Sequence, residues 1–332
     1  MSIVPIEHKA AGHDGSLQSA DGSLFFKPTT TQEKDFYLQT QAKIHELTDE
    51  IELGSELFHW MPLFYGSMVP GVTDQLREQQ ADVDKDLSID NEKQSLLQGQ
   101  EFLVLENVLY GFKKPSLIDI KLGNVLYDEN SSSEKIERMK KVSETTTSGS
   151  LHYRICGMKM PVSTKSLPKI QGVDLNSTVT KSSDGNYLIF DKIFGRSLTK
   201  STVKDAFELF FFHNKLPESI QIIALENTIQ RLQLLYNCLI DQETRMVGAS
   251  ILMIIENDTE RWEELELQDI LIKEPEIEDD SDSESSDAPL SALKLIDFAH
   301  SRYTPGSGSD EAILVGIENL LTVLGEIFKD KT

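Results

Sequence analysis

The sequence predicts an α+β fold of two lobes, a small sheet-rich lobe over residues 1–108 and a larger lobe over residues 109–332. Two observations support this prediction. A chain of 332 residues in which 39% are apolar can bury the core of one large two-lobed domain. The patterns run from a strand and a helix through several strands into a half that is rich in helices.

The first lobe is expected to contain one helix among several short strands. Residues 22–28 predict a strand, and residues 31–47 predict an amphipathic helix with its apolar positions three and four apart. A strand-like run covers 57–66, and 101–108 predicts a buried strand that ends in a polar break. The polar residues 71–99 show no periodicity, which is typical of a surface insertion.

The second lobe opens with a predicted β-hairpin over residues 115–127, with its turn at Gly123. Ser131 is followed three positions later by the glutamate of a capping box, so a helix is expected to begin there. Residues 151–160 predict a strand, and the polar residues 161–185 predict a loop.

The last part of the chain alternates helices and apolar strands. Helices are predicted over 199–213 and 217–241, and a strongly apolar strand over 245–256. Residues 274–287 are acidic and low in complexity, so they cannot bury enough apolar surface to fold and predict a disordered insertion. A strand over 293–298 and a C-terminal amphipathic helix follow.

The composition limits the classes of partner. The formal net charge of −23 disfavours direct binding to nucleic acid and to acidic membranes. No apolar run is long enough for a transmembrane segment, and the N-terminus does not resemble a signal peptide, so we expect a protein of the nucleus and cytoplasm. Residues 113–159 carry a net charge of +3, which indicates a locally basic site for an anionic ligand.

The first candidate site is the pair Asp119 and Lys121. On an extended segment, residues two apart share a face, while Ile118, Ile120 and Leu122 would point into the core. A carboxylate can accept the proton of an attacking hydroxyl, and an ammonium can neutralise a transferred phosphoryl group. From spacing alone, a surface ion pair on a hairpin is the favoured explanation, because Asp-x-Lys is common.

Two further patterns could bind a metal ion and phosphate. Asp297 ends an apolar strand, where a carboxylate can bind Mg²⁺, and His300 lies three residues beyond it. Lys135 and Arg138 are spaced by three on the helix that begins at Ser131, and could form a ridge for phosphate groups. The alternatives are a capping aspartate, a partly exposed histidine and a solvated helix face.

Lys27 lies in the first strand, and Glu33 lies at the start of the next helix. A strand lysine paired with a helix glutamate can position the phosphates of a nucleotide. No Gly-x-Gly-x-x-Gly precedes Lys27, and no Walker A sequence occurs in the chain, which argues against an ordinary protein kinase and a P-loop enzyme.

Taken together, these motifs resemble the inositol polyphosphate kinase family, and within it the fungal multikinases. The Pro-x3-Asp-x-Lys-x-Gly segment at 115–123 is similar to the family signature, and Asp-Phe-Ala-His-Ser at 297–301 resembles its metal-binding motif. Residues 133–150 and 153–159 also look like the fungal enzymes. One departure is Ala249 where the family usually has a serine, although Ser250 is retained.

The resemblance implies a kinase-like fold and the cofactors ATP and Mg²⁺. Lys27, supported by Glu33, would contact the ATP phosphates, and Asp297 would bind Mg²⁺. The backbone of Glu106 and Val108 would bind adenine at the hinge between the lobes.

The resemblance also implies the groups that act on the substrate. Asp119 and Lys121 would lie at the attacking hydroxyl and the transferred phosphoryl group. The groups expected to bind the phosphates of the substrate are Lys135, Arg138, Lys159 and His300.

The implied activity is phosphorylation of inositol trisphosphate and tetrakisphosphate to tetrakis- and pentakisphosphate. One alternative is an inositol hexakisphosphate kinase. Another is a non-catalytic nuclear scaffold that binds transcription-regulator proteins through its surface and the acidic segment 274–287. The two roles can coexist in one protein.

Overall fold

The computed structural model of the protein describes residues 3–6, 15–46, 51–69, 99–273 and 289–332. The predicted polar insertion over 71–99, apart from Gly99, lies outside these ranges, as does the acidic insertion over 274–287. In the described parts the chain forms two large antiparallel sheets and one two-stranded sheet, with helices around them, which is an α+β fold of two lobes.

The first lobe is a five-stranded sheet with one long helix. Its strands are β1 (Ile3–Pro5), β2 (Leu17–Ser19), β3 (Leu24–Pro28), β4 (Phe64–Met68) and β5 (Phe102–Glu106), in the order β1-β2-β3-β5-β4. Helix α1 (Thr31–Glu46) connects β3 with the short helix α2 (Leu57–Trp60). The predictions of the first strand, of α1 and of β5 are confirmed.

The second lobe is built on a six-stranded antiparallel sheet. Its strands are β6 (Pro115–Leu122), β7 (Tyr153–Pro161), β8 (Val179–Lys181), β9 (Tyr187–Phe190), β11 (Ser250–Glu256) and β12 (Ser291–Ile296), in the order β12-β11-β6-β7-β9-β8. The strands β10 (Thr244–Met246) and β13 (Ser301–Tyr303) form a separate pair. The most apolar strands, β6 and β11, therefore lie at the centre of the sheet.

The described part of this lobe also contains eight helices, several of which contact the sheet. They are α3 (Ser133–Glu144), α4 (Thr147–Leu151), α5 (Leu175–Thr178), α6 (Lys192–Ser197), α7 (Val203–Phe212), α8 (Glu218–Ile240), α9 (Thr259–Glu264) and α10 (Glu311–Lys331). The apolar stripes of α8 and α10 pack against each other, and both helices contact the sheet. Within the described ranges, no helix has both the length and the apolar character needed to cross a bilayer.

Several local predictions are wrong in part. Residues 57–66 contain helix α2 and the start of β4 rather than one strand. The hairpin over 115–127 does not form, because β6 pairs with β7 and β11, and residues 125–127 are irregular. The predicted strand over 245–256 is broken at residues 247–249, where Gly248 has a φ of +79° that favours glycine.

Two further corrections concern loops and caps. Residues 161–185 include the short helix α5 and the strand β8 instead of a continuous loop. Helix α3 begins one residue later than predicted, because Ser132 is its N-cap and accepts a hydrogen bond from the Lys135 amide. The Ser131 hydroxyl donates to Asp128 instead, at 2.9 Å.

Candidate active site

One face of β6 forms the bottom of the cleft between the lobes, called the floor below. Ile118, Ile120 and Leu122 are fully buried in the core of the second lobe, so the alternate residues Asp119 and Lys121 point to the opposite face. The prediction that these two side chains share a face is confirmed. The alternative of a surface pair on a hairpin is excluded, because β6 is a central strand and Asp119 is only 5% exposed.

The neighbouring strands extend this floor. Leu252 of β11 lies opposite Asp119, and Ser250 lies opposite Lys121. On β12, Lys294 lies opposite Leu252, and Ile296 lies opposite Ser250. Leu252 and Ile296 are half-buried, whereas the core-facing residues between them are fully buried. The floor therefore places an apolar surface next to the polar pair.

Lys27 of β3 connects this floor to the first lobe. Its Nζ lies 2.6 Å from Glu33 Oε1 on α1 and 2.7 Å from Asp297 Oδ1 at the end of β12. Burial disfavours the ammonium, but the charges of Asp297 and Glu33 outweigh it and raise the pKa of Lys27 above its ordinary value. Lys27 is thus a permanent cation between two carboxylates, at the junction of the lobes.

The backbone around Asp297 is fixed by the first lobe. Asp297 has a φ of +66°, a left-handed conformation that is uncommon for residues other than glycine. The next amide, that of Phe298, donates to Glu33 Oε1 at 3.0 Å. The Phe298 ring is fully buried and stacks on Phe36 of α1, with ring centroids 5.1 Å apart. Helix α1 and the segment after β12 therefore form one packed unit across the cleft.

Asp119 is a buried carboxylate without full hydrogen bonding. Its Oδ1 atom is inaccessible to solvent and has no hydrogen-bond partner in the described part of the chain. Burial raises the pKa of Asp119 to about 6, and the negative charge of Asp297 acts in the same direction. Lys121, the Ser250 hydroxyl and Arg154 oppose this shift. Since Asp119 responds to Asp297, the two carboxylates lie in one site although 178 positions (297 − 119) separate them in the sequence.

The ammonium of Lys121 lies at the edge of the same site. Lys121 pairs in register with Ser250 on one side and with Arg154 on the other. Its Nζ donates to the Gly248 carbonyl at 2.5 Å, in the break between β10 and β11. A neutral carbonyl does not neutralise the ammonium, so its charge remains available to an anionic ligand.

The segment after β5 forms the connection between the lobes. The Asn107 amide donates to the Ser23 carbonyl at 2.9 Å, and its side chain donates to the Gly22 carbonyl at 2.7 Å. The Val108 amide donates to no group in the described residues. A backbone segment held in this way, with an available donor, has the features expected of a hinge that binds a planar base.

The basic helix α3 is tied to the segment after Asp297. His300 Nδ1 contacts the carboxylate of Asp128, which precedes α3, and Arg302 lies 3.7 Å from Glu129. Burial of Asp128 is outweighed by the Ser131 hydrogen bond and by the charges of His300 and Lys135, which together lower the pKa of Asp128. Lys135 and His300 therefore lie in the same region.

This geometry agrees with the comparison of the sequence with known families. The profile of the family described as "Inositol polyphosphate kinase" matches residues 102–325, which is more than half of the chain. The chain belongs to the inositol polyphosphate kinase family.

Whole-length relatives of this kinase are multikinases. The chain is 40% identical to the inositol polyphosphate multikinase of Saccharomyces cerevisiae, over 96% of both chains. It is 27% identical to that of Schizosaccharomyces pombe, over all of both chains. It is also 27% identical to inositol hexakisphosphate kinase 1 of Rattus norvegicus, but that alignment covers only 68% of this chain and 52% of the relative.

Solved structures show the same relationship. The crystal structure of the inositol phosphate multikinase Ipk2 from S. cerevisiae, in complex with ADP and Mn²⁺, matches with a TM-score of 0.72 and 38% identity. It covers 92% of this chain and 99% of that chain. A second inositol phosphate multikinase structure, with a TM-score of 0.52 and 18% identity, shares the fold. The two-lobed, kinase-like fold predicted from the sequence is therefore confirmed.

The carboxylates of this kinase can accommodate a divalent cation. Asp297 and Asp119 offer oxygen atoms within one site, and Asp119 Oδ1 is buried without a partner. No cluster of three or more His, Cys, Asp or Glu side chains suited to a metal ion occurs in the described ranges. A divalent cation here would take its remaining ligands from nucleotide phosphates and water, as Mg²⁺ commonly does.

Two predicted phosphate-binding residues of this kinase differ in their surroundings from His300 and Lys135. Arg138 is exposed on α3. Lys159 of β7 is only 4% exposed, and its Nζ lies over the ring of Tyr187, 4.5 Å from the ring centroid. It pairs in register with Leu117 and is not among the charges that shift Asp119. A direct role for Lys159 in the site remains a prediction.

Arg154 of β7 was missed as an individual site residue. Its guanidinium is 7% exposed, donates to the Ser148 hydroxyl at 2.9 Å and acts on the pKa of Asp119. The sequence carries a signal for it, because a charged residue inside an apolar strand must be buried with a partner or line a site. In the sequence, Arg154 is one of the basic residues that give 113–159 its net positive charge.

Proposed function

We propose that this enzyme is an ATP-dependent inositol polyphosphate multikinase, which converts inositol trisphosphate and tetrakisphosphate to the tetrakis- and pentakisphosphate. One observation carries the proposal: Asp119 is a buried carboxylate with an unsatisfied oxygen, and its pKa is raised by Asp297, which pairs with Lys27. Such a group is costly for stability, and it is suited to accept a proton from a substrate hydroxyl.

In the proposed reaction, a hydroxyl oxygen of the inositol ring attacks the γ-phosphorus of ATP. The new O–P bond forms as the bond to the β–γ bridging oxygen breaks, ADP leaves, and the hydroxyl proton passes to Asp119. A pKa of about 6 makes Asp119 largely ionised at neutral pH while it remains basic enough to accept that proton.

The other residues position and neutralise the phosphates. Lys27, held by Glu33, would bind the nucleotide phosphates, and Lys121 would turn from the Gly248 carbonyl towards the transferred group. Asp297 would hold Mg²⁺, which neutralises phosphate charge when bound. Adenine would contact the backbone of Glu106 and Val108.

Lys135, Arg138, Lys159 and His300 would bind the phosphates of the inositol ring, with their roles taken from the family resemblance. Asp128 favours this role for His300, because a carboxylate at Nδ1 orients the ring and leaves Nε2 towards the substrate; Nε2 donates to a phosphate when both ring nitrogens carry a proton. An open, basic surface on α3 can accept the ring in more than one orientation, so several hydroxyls can be reached.

The test is an assay of the purified chain with ATP and Mg²⁺ against a panel of inositol phosphates, with products separated by ion-exchange chromatography. We expect turnover of the tris- and tetrakisphosphate, and no turnover by Asp119→Asn. Pyrophosphate products from the hexakisphosphate as the preferred reaction would favour the hexakisphosphate kinase alternative. That alternative is disfavoured by the whole-length match to multikinases.

We also propose that the protein is present in the nucleus and the cytoplasm, and that it binds transcription-regulator proteins. These two proposals rest on the family resemblance and the acidic segment 274–287. Fluorescence microscopy of the tagged protein tests its location. Deletion of 274–287 is expected to reduce partner capture and to spare kinase activity, whereas Asp119→Asn should do the reverse.

A further inference from the structure

Lys294 is a half-buried cation near the hinge, and the proposed reaction gives it no role. It lies on β12, three residues before Asp297, between the core residues Leu293 and Leu295. Its Nζ donates to the carbonyl oxygens of His59 at 3.1 Å and Met61 at 3.2 Å, both at the end of α2 in the first lobe. Lys294 thus bridges the two lobes.

The segment that Lys294 binds also holds the hinge. The Glu106 amide donates to the Leu63 carbonyl at 2.9 Å, and the Leu63 amide donates to Glu106 Oε2 at 3.2 Å. A chain of hydrogen bonds therefore runs from β12 through residues 59–63 to the last residue of β5. The strand that ends in Asp297 and the hinge expected to bind adenine are connected through it.

Packing supports this segment on one side only. Trp60 and Met61 are buried in the core, but a cavity of about 760 Å³ borders His59, Leu63, Glu106 and Lys294 on the other side. The cavity is not lined by Lys27, Asp119 or Asp297, so it is separate from the carboxylate site. The hydrogen bonds from Lys294 therefore fix the position of residues 59–63 on the side that borders the cavity.

The chemistry of Lys294 argues against a purely structural purpose. Burial lowers the pKa of Lys294, and the charge of Glu106 only partly compensates. An apolar side chain at this position would cost less to bury than an ammonium bound to neutral carbonyls. A costly polar contact is retained where it fixes a geometry that apolar packing does not specify.

We propose that Lys294 is a positioning residue for nucleotide binding, which sets the hinge at Glu106 and Val108 relative to Asp297. This inference rests on the proposed function only in assigning adenine to the hinge. Loss of the ammonium should therefore weaken nucleotide binding more than it slows the chemical step, and it should leave the inositol phosphate side of the cleft unchanged.

The test compares Lys294→Met with the wild type and with Lys34→Met, a matched control. Lys34 is a lysine of the first lobe whose ion pair with Glu101, at 2.9 Å, lies at the opposite end of β5 from the hinge. Steady-state kinetics would give kcat and KM for both substrates, and calorimetry would give the Kd for ADP with Mg²⁺.

We expect Lys294→Met to raise the KM for ATP and the Kd for ADP about tenfold, which corresponds to about 1.4 kcal/mol. The KM for inositol trisphosphate should stay within twofold, and Lys294→Arg, which can donate to both carbonyls, should recover most of the loss. Lys34→Met should behave as the wild type. If Lys294→Met does not fold, Lys294→Gln and Lys294→Arg provide the same comparison.

A Kd for ADP within twofold of the wild type would overturn the proposal. So would equal losses in kcat and in both KM values together with a large fall in Tm, because a merely structural lysine would behave in that way. If the wild type binds ADP but phosphorylates no inositol phosphate, the proposed function fails while the ADP measurement still decides the role of Lys294.

Discussion

Two buried carboxylates on neighbouring strands of the second lobe have opposite surroundings. Glu256, at the end of β11, is fully buried and accepts hydrogen bonds from the Lys113, Lys114 and Asp258 amides and from Arg261 Nη1, at 2.7, 2.8, 3.0 and 3.1 Å. Asp119, in the middle of β6, is equally inaccessible, yet one of its oxygens has no partner in the described residues.

The difference separates structure from function. Glu256 joins β11 to the start of β6 and to α9, and its charge is satisfied by groups that are part of the fold. Asp119 keeps acceptor capacity for something that the chain does not supply, at a cost in stability. An unsatisfied buried carboxylate near Lys121 and Asp297 is what a phosphoryl-transfer site requires before its ligands bind.

The largest effect expected from a substitution at either carboxylate is the loss of catalysis when Asp119 is changed. Asp119→Asn keeps the shape of the side chain and removes the proton acceptor, so kcat should fall by roughly 10²- to 10⁴-fold. The free energy of unfolding at pH 7.5 should not fall, because no hydrogen bond from the protein to Oδ1 is lost. Kinase assays and urea denaturation measure the two quantities. If Asp119→Asn loses both activity and stability, Asp119 would be structural in the same way as Glu256, and the contrast between the two carboxylates would fail.

The matched substitution Glu256→Gln should have the opposite result. An amide cannot accept from all four donors, and its own NH₂ would face them, so the free energy of unfolding should fall by about 3 kcal/mol. At a temperature where the variant is folded, kcat should change little. Urea denaturation gives the first quantity, and a kcat as low as that of Asp119→Asn would contradict our assignment of Glu256 to structure.

The pH dependence of stability tests the raised pKa. In the folded protein the pKa of Asp119 is about 6, against an ordinary value of 3.8, so the folded state binds the extra proton between these values. The stability from this group is complete below about pH 4 and is lost as the pH rises through 6. Relative to Asp119→Asn, the wild type should lose up to roughly 3 kcal/mol over this range.

Urea denaturation of both proteins from pH 4 to pH 8 measures this difference. The negative charge of Asp297 contributes to the raised pKa of Asp119, so the loss depends on both carboxylates. Parallel curves for the wild type and Asp119→Asn would mean that Asp119 is not perturbed by its site. Glu256→Gln should retain the slope of the wild type.

The smallest effect is expected on the exposed basic helix. Arg138→Ala on α3 should raise the KM for inositol phosphates several-fold through the loss of one charge-assisted contact, with kcat and stability nearly unchanged. Lys140→Ala, on the other side of the same helix, is the matched control and should leave the KM within twofold. Equal effects of the two substitutions would indicate a general charge effect rather than a contact.

The sequence alone predicted which motifs contribute to the site, but not all of the local structure. The P-x3-D-x-K-x-G and D-F-A-H-S segments, with Lys27 and Glu33, led to the fold and to the acidic and basic groups that meet in the cleft. The prediction of a hairpin over 115–127 was wrong, because a short apolar run does not show which strand it will pair with. Strand β6 pairs with strands more than 30 and 120 positions away, and those partners outweigh a local turn.

What the sequence determined by itself is the period-2 pattern of β6, which sends Ile118, Ile120 and Leu122 to the core and leaves Asp119 and Lys121 on the other face. What only the tertiary structure decided is where that face lies and what surrounds it. The raised pKa of Asp119, the contact of His300 with Asp128 and the bridge made by Lys294 arise from groups far apart in the chain. Burial and electrostatic interactions depend on distance in space, and spacing along the sequence does not contain that distance.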